Sequence, residues 1–79
     1  MDRKEIIDNV TFCRLELTDS RRELLCLSRH RENLFNDSNI TENLKNPILI
    51  VIDSQILLLK SECDVLENKI SHYDNLLDM

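Results

Sequence analysis

Residues 49–77, LIVIDSQILLLKSECDVLENKISHYDNLL, decide how this chain folds. Two readings compete over the opening part. Ile48 to Ile52 and Gln55 to Leu59 are rich enough in aliphatic side chains to suggest strands. Against that, Leu49, Ile52, Ile56, Leu59, Cys63, Leu66, Ile70, Tyr73 and Leu77 recur in alternating steps of three and four, the period of a coiled-coil seam. All nine are apolar where this composition would place about four by chance. No Gly or Pro interrupts them. The segment reads as one helix.

The same rhythm runs through the first half, in Ile6, Val10, Cys13, Leu17, Ser20, Leu24, Leu27, Arg31 and Leu34. If the chain folds back, Leu34 meets Leu49, Leu27 meets Ile56, Leu17 meets Leu66 and Ile6 meets Leu77, each pair of numbers adding to 83. That symmetry predicts an all-α fold: one long antiparallel two-helix hairpin, coiled-coil-like, spanning residues 1–79 as a single domain. The expected division is a helix over 2–35, a connection over 36–46 and a helix over 47–77, each helix about 45 Å long.

Local signals place the ends. Asp2 can cap the first helix while Glu5, three residues on, closes a capping box. Asn36-Asp37-Ser38-Asn39 competes with helix through local side-chain hydrogen bonds. Asn39 with Glu42 repeats the capping pattern, so Ile40 to Lys45 reads as a short helical turn. Asn46-Pro47 is the strongest start signal, because Asn caps well and Pro is pre-shaped for the first helical position. Asp74 and Asp78 are unfavourable near a helix C-terminus, which predicts fraying there.

Two seam positions are polar. Arg31 would face Ile52 beside the connection, its stem packed and its head in water. Ser20 opposite Cys63 makes one thin layer in mid-hairpin. Its plain reading is a tolerated small pair; its sharper one is a place where a partner side chain inserts.

Composition narrows the function classes. The chain has no Gly and one Pro, which argues against phosphate-cradling loops and nucleotide folds. A net charge of −5, with no basic run longer than Arg21-Arg22, weighs against nucleic acid or anionic membrane as the main partner. The longest apolar stretch, Pro47 to Ile52, is too short to span a bilayer. The N-terminal residues Met1 to Glu5 lack a following hydrophobic region, so no secretory signal is expected and the three cysteines read as free thiols in a reducing interior. An intracellular location, cytoplasmic or nuclear, follows. The three Asn-X-Ser/Thr sequons at Asn9, Asn36 and Asn39 then read as chance.

Candidate chemistry is sparse. Cys26 and His30 have the spacing of two metal ligands, but no second pair completes a structural site. As a nucleophile and base they would sit on a solvated helix face without an oxyanion hole. Cys13 and Cys63 fall on the seam. The acidic pairs Asp19 with Glu23 and Glu62 with Asp64 read as solvated-face residues. The expectation is therefore no enzyme, no cofactor, no metal and no small-molecule ligand.

The densest basic cluster is Arg21, Arg22, Arg29, His30 and Arg31, interrupted by Glu23 and Glu32. In architecture the chain resembles the small plasmid copy-number regulators that bind structured RNA as hairpin dimers. An RNA-binding dimer using the Arg21/Arg22/Arg29 face is the alternative this implies. The competing expectation is local salt pairing, Asp19 to Arg22 and Arg29 to Glu32. Pro47 with Ser54-Gln55 also resembles the Pro-led second helix of small two-helix phosphatases acting on sporulation response regulators. The chain departs from that family with Leu58 where its essential Asp belongs, so no activity carries over.

The most specific signal is apolar surplus. Ile48, Val51, Leu58, Val65 and Leu76 fall on one flank of the second helix, beside Phe12 and Cys26 on the first. Ile50 and Leu57 with Leu25 make a smaller patch on the other side. Burying a Leu or Ile is worth roughly 1.5–3 kcal/mol, so several can drive association. The expectation is a protein–protein interaction module: a self-associating scaffold completing a four-helix bundle as a homodimer, or a small subunit or regulator docking on a larger helical protein. Arg14 with Glu67, and Glu16 with Lys69, are the charge pairs expected to set orientation.

Overall fold

The computed structural model describes residues 2–79. It is all-helical, with α1 over Arg3–Asn36 and α2 over Glu42–Leu77 packed against each other. Arg14 bonds Asp74, Arg21 bonds Glu67 and Arg31 bonds Asp53, so early residues meet late ones and the helices are antiparallel. The Cα envelope is 57 × 14 × 14 Å, a thin rod two helices wide.

All eighteen seam positions are buried or half-buried. Cys13, Leu17, Cys63 and Leu66 form the central cluster, with Ile70 and Tyr73 packed against it. Within it, Leu17 with Leu66 and Cys13 with Ile70 are pairs that the register of 83 brings level. The core is nevertheless thin: among the described residues no large side chain is fully enclosed. Two helices cover a seam from two sides only. Burial is also uneven. Ile6, Val10, Cys13 and Leu17 are buried, while Leu24, Leu27, Leu34, Leu49, Ile52 and Ile56, nearer the connection, remain half-buried.

Asp2 caps α1 as expected, its carboxylate accepting the Glu5 N–H at 2.8 Å. The helix ends at Asn36, where the Asp37 side chain accepts the Asn39 N–H at 2.9 Å and turns the chain. Asp74, an unfavourable charge near the end of α2, is answered by Arg14 at 3.3 Å.

The start of the second helix needs correction. It lies at Glu42, not Pro47, and the connection shortens to residues 37–41. Thr41 takes the cap position without a side-chain cap bond. Pro47 is the sixth helical residue, where it cannot donate to the carbonyl of Asn43. What holds the added turn is Lys45. It is buried, and its ammonium donates to the Phe35 carbonyl at 3.2 Å, one of the unsatisfied acceptors at the end of α1. The expected isolated turn over 40–45 is thus mostly the first turn of α2.

The charge pairs also differ from expectation. Arg14 bonds Asp74 rather than Glu67, and Glu67 instead takes Arg21 at 2.7 Å. Both observed pairs add to 88. Side chains lean toward their own helix N-terminus, so in an antiparallel pair two long side chains converge when their numbers exceed the seam sum. Arg14 and Glu67 fall short of it and lean apart. Arg31, on the seam itself, forks onto Asp53, with the second contact from Nη2 to Oδ2 at 3.4 Å. That carboxylate raises the guanidinium pKa above its ordinary value, by hydrogen bond first and charge second, with slight desolvation opposing. The Arg31 head is therefore paired with Asp53 and, with its side chain 40% exposed, still reaches water as expected.

Candidate protein-docking site

The two long flanks of the hairpin are not alike. In heptad terms, with the seam at a and d, antiparallel helices bring e positions beside e positions and g beside g. Arg14, Arg21, Asp53, Glu67 and Asp74 all lie at e, and all three cross-helix ion pairs close that side. On the g side, Glu16 and Lys69 are the expected pair, yet they make no ion pair among the described residues. Their numbers exceed the seam sum by two, against five for the e-to-e pairs Arg14–Asp74 and Arg21–Glu67.

A groove opens there instead. It measures about 550 Å³ and is lined by Ser20, Leu58, Ser61, Val65 and Leu66, with Glu16, Asp19, Glu62 and Lys69 around it. Its origin lies in the sequence: Ser20 and Cys63 are both small, so their layer is underfilled and the surface dips beside it. The acidic lining outnumbers the basic by three to one.

Ile48, Val51, Leu58, Val65 and Phe12 are exposed on this open flank, and Cys26 is exposed beside them. Leu58, at the groove, leaves 62% of its surface in water. Leu76, on the same flank, is half-buried. Leu57 and Leu25 are exposed on the opposite side, away from the groove. The structure therefore gathers the larger set on one flank and separates the smaller one. Sequence reasoning did not single out Phe35 and Leu44, both exposed beside the connection. Phe35 read as a helix end and Leu44 as part of the connection, so neither was placed on a face.

The basic cluster is divided. Arg21 and Arg31 are engaged across the seam, by Glu67 and Asp53. Arg22 and Arg29 make no ion pair with any described residue, so the pairings to Asp19 and Glu32 do not form. With Leu25, Cys26, His30 and Asn33 they line a shallow depression of about 370 Å³ on the outer face of α1. Cys13 and Cys63 are buried free thiols. Among the described residues no three His, Cys, Asp or Glu side chains are grouped to hold a metal, and no helix is long and apolar enough to cross a membrane.

Pro47, standing inside α2, does not lead it as the phosphatase comparison requires. No family model matches the chain, and neither curated proteins nor solved structures give a match.

Proposed function

We propose that this chain is a protein–protein interaction module, a helical hairpin that docks through the apolar flank of α2. It serves as a self-associating scaffold or as a small subunit or regulator on a larger helical protein. The observation that carries this reading is the contrast between flanks: charge pairs close one, while Ile48, Val51, Leu58 and Val65 stand exposed on the other.

Surface area supports it. The chain exposes 6191 Å², against about 5000 Å² for a compact monomer of its mass, an excess of roughly 1200 Å². A standard interface covers about 800 Å² on each partner. One docking event of that size on the open flank would remove about two thirds of the excess.

The test is a mass measurement across a dilution series, paired with capture of bound protein from the native cell. Leu58→Glu is expected to lower the associated mass or to lose the captured partner, and Lys60→Glu, exposed on the flank that ion pairs close, to do neither. A Leu58→Glu chain that behaves like the unaltered one in both assays would refute the reading. Melting temperature should rise with protein concentration where the partner is a second copy.

A further inference from the structure

The groove beside Ser20 and the outer face of α1 carry complementary charge that no ion pair among the described residues answers. Glu16, Asp19 and Glu62 surround the groove against one cation, Lys69, and none of the four forms an ion pair among the described residues. Covering three carboxylates with an apolar surface would cost their solvation, so whatever fills the groove must bring cations. On the outer face of α1, Arg22 and Arg29 bracket Leu25 at three residues before and four after, both guanidinium groups without an ion-pair partner among the described residues. Leu25 is 54% exposed between them. One face is an apolar socket with an acidic rim. The other presents the exposed Leu25 with basic flanks, at the edge of the shallow depression that these residues line.

We infer that a second copy of this chain fills the groove head-to-tail, its Arg22–Leu25–Arg29 ridge seated between Leu58 and Val65. The inference rests on the interaction-module reading and names its partner. A symmetric dimer joined groove to groove would instead set the carboxylate rims against each other. Because socket and ridge are different surfaces, each added copy leaves one of each free, and assembly continues to a ring or a filament. The groove volume, about 550 Å³, falls within the range that accommodates several side-chain groups at once.

The experiment is sedimentation velocity of the full chain over a wide concentration range, with two variants and their mixture. Leu58→Glu removes the socket. Arg22→Glu with Arg29→Glu removes the ridge. The expected result is growth beyond a dimer for the unaltered chain, monomers for each variant alone, and arrest at a dimer for the equimolar mixture, since it pairs one intact socket with one intact ridge. Growth should weaken toward 1 M salt, where the screening length falls to about 3 Å. Milder changes, Leu58→Gln and Arg22→Gln with Arg29→Gln, should each weaken association roughly tenfold if the stronger ones disturb folding.

Cys26 supplies a second readout, as the exposed thiol beside the ridge while Cys13 and Cys63 are buried. Its alkylation by N-ethylmaleimide should slow as the unaltered chain assembles and stay fast for the socket variant alone. A ridge variant that assembles like the unaltered chain, a mixture that stays monomeric, or an unaltered chain that stops at a dimer would overturn the inference. So would an unaltered chain that stays monomeric throughout. In that case Leu58→Glu losing a captured cellular partner would still uphold the broader reading, and retaining it would sink both.

Discussion

The ammonium of Lys45 reaches back across the connection and donates to the Phe35 carbonyl at 3.2 Å. This contact ties the first turn of α2 to the last turn of α1. A cation is unfavourable at its own helix start but favourable at the end of the other helix, where unsatisfied carbonyls concentrate negative charge. The connection can therefore shorten to five residues, 37–41.

Lys45→Ala is expected to destabilise the hairpin by roughly 1.5–3 kcal/mol, the usual value of a hydrogen bond from a charged donor. Residues 42–46 should fray first. Amide hydrogen exchange over that turn and a thermal melt check both effects. Lys60→Ala, at an exposed position on α2, should change stability by less than about 0.5 kcal/mol.

Pro47→Ala should stabilise the chain. A proline at the sixth helical position leaves the Asn43 carbonyl without its helical donor, and an interior proline costs up to about 3 kcal/mol. A gain of roughly 1–3 kcal/mol in urea unfolding is the expected outcome. Were Pro47 the first helical residue, the same change would be neutral or unfavourable, so the sign of the effect locates the helix start.

Ser20→Val should move two properties in opposite directions. The added methyl groups fill the thin layer opposite Cys63 and raise stability by roughly 1 kcal/mol, a figure tempered by the half-buried position. The same atoms fill the groove beside Leu58 and Val65, so association should weaken. A higher melting temperature at low concentration with a smaller associated mass is the expected pairing. A rise in both would show that the groove is not where the partner binds.

Arg31 should leave stability insensitive to base over the accessible range. Its pKa is raised in the folded chain, so its contribution is fully present below the ordinary guanidinium value and is lost only as pH climbs through the still higher folded value. Between neutral pH and about pH 10 the Arg31–Asp53 pair should hold. An Arg31→Lys chain keeps the charge but loses the fork, and should melt lower across that whole window. Melting curves for the two chains at several pH values test this.

Much of the fold was legible in the residues alone. The seam from Ile6 to Leu34 and from Leu49 to Leu77 emerges because helical periodicity is a local property, and the sum of 83 because a hairpin imposes one register on all its layers. The dip at Ser20 was legible for the same reason: a small residue on the seam leaves space wherever the partner helix also has one.

What local pattern could not supply was the meeting of distant side chains. The Asn46-Pro47 signal is sound for an isolated segment, yet the helix begins earlier because Lys45 finds an acceptor on the other helix, ten residues back. The partners of Arg14 and Arg21 depend on which way each side chain leans once the helices run antiparallel, and level pairing ignores that lean. Periodicity alone thus determined which faces are apolar and how the layers align. Only the tertiary structure decided that ion pairs would seal one flank and leave the other open, because that outcome depends on stagger between helices rather than on spacing along either one.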